Sequence, residues 1–318
     1  MVDAQAVVMG EKVYVGGGET EENHEYYAVF QYDLPRDEWS RLPPHHVCYF
    51  AMAQFRGHLI TVGGEGAGGG VNITSKVYRF KEESQEWVEF LKPMPTARLR
   101  LSVATTPSAI VASGGLTGAM GVKTVPCATV EVYSTETFQW YTADPLPAPY
   151  GFSSSVTIAD TCYLLGGYDT YEKPTTTVLY ASLTSLIAKA TSPIATHQSA
   201  SRTSVWKILP DTPLKGSAAA SLSGNLIAVG GYKGKMSKPV VVVRALAIRA
   251  GASIPVQPTL HTFLPFTNSW VKIKTGDLPQ SRVSCTAVQL SPNTMMVIGG
   301  VDSRINLTKT VFTGTITV

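Results

Sequence analysis

Leu59-Ile60-Thr61-Val62-Gly63-Gly64 decides the fold of this chain: four β-prone residues running into a pair of glycines. The same step recurs at Val13-Tyr14-Val15-Gly16-Gly17, Ile110-Val111-Ala112-Ser113-Gly114-Gly115, Tyr163-Leu164-Leu165-Gly166-Gly167, Leu226-Ile227-Ala228-Val229-Gly230-Gly231 and Met296-Val297-Ile298-Gly299-Gly300. Between the second glycines the steps are 47, 51, 52, 64 and 69 residues. A fixed step of this size, carried by a strand-like unit, marks a repeat architecture rather than one irregular core.

Working outward from the glycines, each of five units reaches a tryptophan: Trp39, Trp87, Trp140, Trp206 and Trp270. In four of them an aromatic stands seven residues earlier, at Tyr32, Phe80, Tyr133 and Phe263, with a polar turn between. An aromatic strand, a turn and a Trp strand read as a hairpin. A Leu-Pro or Met-Pro step follows at Leu42-Pro43, Met94-Pro95, Leu146-Pro147, Leu209-Pro210 and Leu278-Pro279, where proline suits a link that needs no ladder N–H. Small apolar stretches such as Ser102-Val103-Ala104-Thr105 and Ser217-Ala218-Ala219-Ala220 precede the glycine strands and suit positions near a central axis. Each unit is therefore predicted to hold four strands, with the tryptophans in the core.

In these registered landmarks the chain resembles the kelch-repeat family, along essentially its whole length. The resemblance implies an all-β, six-bladed propeller over residues 1–318 as a single domain. Long inter-strand insertions are expected near 181–204 and 236–258. Within the first, residues 183–190 can form a short helix; the second holds the apolar run Val240-Val241-Val242-Val243. The sixth unit has three strand signals and no tryptophan. A three-stranded sixth blade, or a piece of a longer protein, is the expectation.

Composition narrows the function classes. The 318 residues carry a net charge of +3 and only 15% charged residues, with no Lys/Arg cluster, which argues against nucleic-acid binding. No apolar run approaches the ~20 residues that span a bilayer, and residues 1–15 lack the pattern of a secretory signal. Cys48, Cys127, Cys162 and Cys285 are scattered without metal-ligand spacing. The triplets beginning at Asn72 and Asn306 carry no weight without a secretory signal. Cytoplasmic residence and a monomer are expected, with no cofactor and no membrane.

Motifs for catalysis are missing: no phosphate loop, no nucleophile elbow and no His-Glu-x-x-His. Gly63–Gly70 is glycine-rich but lacks the Lys-Ser/Thr of a phosphate loop. His24, His45, His46, His58, His197 and His261 show no ligand spacing, and none matches the Tyr/His/Cys set of copper-oxidase propellers.

The resemblance implies a protein-binding module that uses one loop face. A kelch propeller of this kind holds peptide segments, often acidic, on Arg, Ser, Asn and Tyr side chains there. Three residues after the Leu-Pro or Met-Pro proline stand His46, Arg98, Tyr150 and Arg282, with Lys215 near the fifth such position. After the glycines stand Glu65, Tyr168-Asp169, Tyr232 and, one further on, Asp302, with Glu19 in the first unit. Arginine at these positions suits either a partner's carboxylate or neighbouring loop carbonyls. A carbohydrate- or small-ligand-binding propeller and an enzyme with a site over the central channel are the alternatives. Neither the ubiquitin-ligase adaptor role nor the actin-binding role of other family members has a marker in this chain.

Overall fold

The computed structural model of the protein describes residues 1–18, 27–66, 72–118, 123–192, 203–234, 255–274, 277–304 and 307–315. Glu19 and residues 236–254 of the second insertion lie outside them.

The strands form six antiparallel blades. Blade 1 holds β1 (Gln5–Met9), β2 (Lys12–Gly16), β3 (Val29–Asp33) and β4 (Glu38–Arg41). A two-residue strand, β5 (Val47–Cys48), leads into blade 2, which has β6 (Ala51–Phe55) and β7 (His58–Val62), then the short β8 (Glu65–Gly66), then β9 (Val77–Lys81) and β10 (Glu86–Leu91). Blade 3 has β11 (Ser102–Thr106), β12 (Ala109–Ser113), the short β13 (Leu116–Thr117) and β14 (Val125–Pro126), β15 (Val130–Ser134) and β16 (Gln139–Thr142). Blade 4 has β17 (Ser154–Ile158), β18 (Thr161–Leu165), β19 (Val178–Ser182), helix α1 (Leu183–Thr191) and β20 (Lys207–Leu209). Blade 5 has β21 (Ala218–Leu222), β22 (Asn225–Val229), β23 (Leu260–Leu264) and β24 (Ser269–Lys272). Blade 6 has three strands among the described residues: β25 (Thr286–Ser291), β26 (Thr294–Ile298) and β27 (Val311–Thr315).

The first strands pack around an axis in the order β1, β6, β11, β17, β21, β25 and back to β1, so the ring is closed. The apolar interior lies between blades. Tyr14 and Phe50 pack between blades 1 and 2, Leu101 and Ile110 between 2 and 3, Val132 and Leu164 between 3 and 4. Leu165 with Phe263, Ile227 with Met295, and Val15 with Met296 do the same for the remaining three contacts. Each blade alone would expose both faces to water, so the ring is the smallest unit that buries them.

The glycine pairs sit where one blade touches the loop of the next. A Cβ on Gly63 (φ +66) would lie 2.3 Å from the Arg98 carbonyl, which accepts from the neighbouring Gly64 N–H at 2.8 Å. In blade 1 the structurally equivalent pair is Gly17-Gly18, one residue later than the sequence reading. It is Gly18 whose Cβ would strike the Val2 carbonyl, at 2.5 Å.

The hairpin aromatics pair as expected: Tyr32 opposite Trp39, Phe80 opposite Trp87, Tyr133 opposite Trp140 and Phe263 opposite Trp270. Four indoles also tie their blade to the one before. Trp87 donates to the Pro43 carbonyl, Trp140 to Lys92, Trp206 to Asp144 and Trp270 to Pro210. The core assignment holds for Trp87 and Trp206, which are buried, whereas Trp140 and Trp270 are half-buried. Trp39 is corrected to a surface residue, 42% exposed, because among the described residues the preceding blade presents no fourth strand to cover it.

Helix α1 falls where the first insertion allowed one. Ser182 caps it by accepting from Ser185 N–H at 3.1 Å, and Leu183, Leu186 and Ala190 bury its inner side. Asp160 accepts from Thr184 N–H and from the hydroxyls of Thr184 and Ser182, which holds its carboxyl below the usual range.

Candidate functional site at the channel mouth

The residue two places before each first strand lines the axial cavity at one end of the ring. These are Asp3, Tyr49, Arg100, Phe152, Gly216 and Ser284, one per blade. All six have left-handed backbones, with φ between 51° and 65°. Only one is glycine, although this conformation costs other residues roughly 1–2 kcal/mol each. Backbone bonds from blade to blade hold the arrangement: Arg100 N–H to the Tyr49 carbonyl at 2.8 Å, Phe152 to Arg100 at 3.1 Å, Ser284 to Gly216 at 3.2 Å and Asp3 to Ser284 at 3.0 Å.

The side chains divide the mouth into two sectors. In blades 1–4 the Arg100 guanidinium lies 4.0 Å from the Tyr49 ring centroid and 4.4 Å from that of Phe152, and it meets the Asp3 carboxylate at 3.1 Å. Phe152 packs edge-on against Tyr168 at 5.4 Å. In blades 5 and 6 the same positions hold only Gly216 and Ser284. The cavity below, of about 460 Å³, is lined largely by small and hydroxyl side chains, including Ser154, Ser155, Thr157, Ser221 and Thr286.

The sequence-selected residues fall into three groups. Arg98 and Arg282 are fully buried and pin blade to blade. Arg98 donates to the carbonyls of Gly114 (2.8 Å) and Thr129 (2.9 Å) and pairs with the buried Glu131 at 2.8 Å. Arg282 donates to the carbonyls of Gly299 and Thr310, both at 2.7 Å, and lies 4.2 Å from the centroid of Phe312, the residue matching Glu131 in blade 6. Burial lowers its pKa, with Cys285 and Asp302 opposing the shift. Tyr232 is buried too, against the wall of blade 5. Of the two readings open to the arginines, the geometry supports the bond to loop carbonyls, and no partner can touch these three residues in this conformation.

A second group lies partly exposed on the loops. Tyr150 is half-buried, and Lys215 Nζ reaches the Gly234 carbonyl at 3.4 Å. Glu65 is half-buried near Arg100; burial raises its pKa and the guanidinium charge opposes that. Asp302 accepts from Arg304 N–H at 2.9 Å. Asp169 is spent on its own loop, accepting from the N–H groups of Tyr171 and Lys173, both at 2.9 Å. Tyr168 stands against Phe152 at the mouth.

His46 forms the third group. It is exposed, and it is not equivalent to Arg98 and Arg282. Counted back from the first strand, the matching residue is Val47, because the link from Pro43 is one residue longer; in blade 5 it is Leu214 rather than Lys215. The buried neighbour, His45, donates or accepts at Thr61 Oγ1 (2.9 Å) and accepts from Val47 N–H at Nδ1 (3.0 Å). Burial drives its pKa down to about 3, so the ring is neutral, with Nε2–H donating to Thr61.

Sequence reasoning missed Arg100, Tyr49, Phe152 and Tyr171. The first three share one offset from the small first strands, which counting from proline obscures. Tyr171 follows Asp169 by two residues, the spacing of an Asx turn. That turn holds Tyr171 79% exposed, with Lys173 Nζ 5.6 Å from its ring.

Comparison with known proteins agrees with this architecture. The kelch motif profile matches residues 2–45 and 97–147. Kelch-like protein terF of Aspergillus terreus is 28% identical over 172 residues, 52% of this chain and 37% of that protein. Kelch-like protein 25 of Xenopus tropicalis is 24% identical over 170 residues, and Beta-scruin of Limulus polyphemus 26% over 143. These matches cover 51% and 44% of this chain but only 28% and 15% of the relatives, so the chain spans well under half the length of each. The solved structure of YjhT superposes with a TM-score of 0.70 over 98% of this chain and 94% of that one, at 16% identity, a likeness of fold alone. The motif matches and the kelch-like relatives support a kelch-repeat family, and the fold is that of a six-bladed β-propeller.

Proposed function

We propose that the protein is a recognition module that binds a protein or peptide partner across the channel mouth. The observation that carries this reading is the Asp169 loop, which presents Tyr171 rigidly to solvent three residues from the Tyr168–Phe152 pair. A stiff, exposed aromatic loses little entropy on docking and is a typical interface anchor. His46 and Glu65 on one side and Asp302 on the other supply a polar rim. Arg100 is already neutralised by Asp3, so it shapes the mouth and leaves only a modest attraction for an acidic segment. The kelch-like relatives are consistent with protein partners in general. The notch at Gly216 and Ser284, opening on hydroxyl groups, favours a second reading, in which a small polar ligand enters the cavity from that side.

The test places a photo-crosslinking amino acid at Tyr171 and, as a control away from the mouth, at the exposed Phe138. A protein crosslinked in lysate only from position 171, and lost on competition with the unlabelled wild-type chain but not with its Tyr171→Ala variant, supports the proposal. The same products from both positions, or none from 171, would remove this face from consideration.

A further inference from the structure

The axial cavity has two unlike walls. On the side of blades 1–3 the lining below the mouth is mostly apolar, with Ala6, Val8, Met52 and Val103. The polar side chains there are spent on the protein. Gln5 Oε1 accepts from Met52 N–H at 3.1 Å, its Nε2 donates to the Leu101 carbonyl at 3.3 Å, and Thr105 Oγ1 donates to the Gln54 carbonyl at 2.8 Å. On the side of blades 4–6 the lining carries Ser155, Ser221, Ser284, Thr286 and Gln289. None of these five side chains has a hydrogen-bond partner among the described residues. The charged side chains of the lining are Asp3 and Arg100, and they neutralise each other at 3.1 Å. An ion entering below them would lose its water without gaining a free counter-charge, which is costly. A hydroxyl, by contrast, both donates and accepts, so the open wall suits an occupant rich in hydroxyls.

We propose, on the reading that a small polar ligand enters at the Gly216–Ser284 notch, that this cavity binds one neutral pyranose sugar. Its volume of about 460 Å³ lies within the roughly 300–1,000 Å³ of small-ligand sites. A pyranose carries hydroxyls around its edge and C–H groups on its faces. The hydroxyls meet the open side chains of blades 4–6, and a C–H face lies against Val8, Met52 and Val103. Arg100, Tyr49 and Phe152 roof the apolar wall, so entry is over Gly216 and Ser284, on the hydroxyl side. The neutral lining sets the charge of the ligand, and the unlike walls set its shape.

The probes are glucose, galactose and mannose, with glucuronate as the charged counterpart, followed by saturation-transfer NMR on the whole chain. At least one sugar is expected to bind, with the protons of one C–H face receiving the most saturation. Its affinity should hold within about twofold from roughly pH 6 to 8 and from low to high salt, because no histidine and no unpaired charge lines the cavity. Thr286→Val, which keeps the shape and removes the hydroxyl, and Ser221→Ala should each weaken binding roughly three- to tenfold, with thermal unfolding checking that both variants fold. Tyr171→Ala, which tests the partner-binding face, should leave it unchanged. A free sugar and the end of a glycan share this chemistry; the methyl glycoside of the sugar that binds separates them, since a glycan end keeps its affinity. Sugar binding indifferent to both hydroxyl variants overturns the proposal. So does glucuronate binding that depends on Thr286 while no sugar binds, an outcome that keeps the entry of a small polar ligand and rejects the neutral sugar. If none of the four binds, both fall.

Discussion

Glu131→Gln should destabilise the propeller by about 3 kcal/mol, because it leaves the Arg98 guanidinium buried with its charge unopposed. Glutamine keeps the shape and one acceptor, so the loss reports charge rather than a cavity. Both partners are sealed, at 0% and 2% exposure, so solvent cannot screen the pair as it would on a surface. The effect of removing Arg98 is different in kind. Arg98→Met also strips the donor from the Gly114 carbonyl, and a buried acceptor left unmet costs about 1–3 kcal/mol, whereas the Thr129 carbonyl still accepts from Gly114 N–H. That variant should lose more than Glu131→Gln. The double variant should lose little beyond Arg98→Met, because Glu131 no longer has a cation to neutralise. Equilibrium urea denaturation of the four proteins, with reversibility checked, gives the coupling directly. Single losses that add to within about 0.5 kcal/mol in the double variant would show that the two groups do not act as a pair, and the reasoning would fail.

Below about pH 6.5 the protein should lose stability through His45, whose folded pKa of about 3 lies under its unfolded value, so the unfolded chain binds the extra proton. The contribution is complete above pH 6.5 and falls by about 1.4 kcal/mol per pH unit down to pH 3; comparing His45→Gln with wild type across that range should show the slope of the difference, and parallel curves would refute it. Ser284→Gly should stabilise by about 0.5–1 kcal/mol, the left-handed strain relieved less the greater freedom of unfolded glycine, as read by thermal unfolding; a net loss would mean that the Ser284 side chain is held by contacts worth more than its strain.

What was legible in the sequence was whatever repeats with a local cause. The glycine pairs, the seven-residue aromatic-to-Trp spacing and the proline steps recur six, four and five times, each from one local requirement, so blade number and strand order could be read directly. The sequence allowed a short helix over residues 183–190, and α1 covers that stretch, but its serine cap was seen only in the structure. The site was not. Arg98 and Arg100 stand two residues apart in one link, and only the direction of the chain entering β11 decides which is sealed in the wall and which reaches the cavity. His46 was misaligned because the count ran from Pro43, and the link between that proline and β6 is one residue longer than the matching link into blade 3. Trp39 shares every local feature of the buried tryptophans. Its exposure depends on the far side of the ring, which a local pattern cannot carry.

The contact between blades 6 and 1 shows which part of a blade interface closes the ring. Near the axis the contact is complete. The Met1 carbonyl accepts from Gly300 N–H at 2.7 Å, as the Arg98 carbonyl does from Gly64. Asp3 N–H reaches the Ser284 carbonyl, and Val13 and Val15 pack against Val288, Met296 and Ile298. Farther out the contact thins among the described residues, where β27 is the outermost strand of its blade and Gly314 stands where the other blades carry an aromatic ring. Closure therefore rests on the inner half of the interface, where apolar burial and backbone bonds act together.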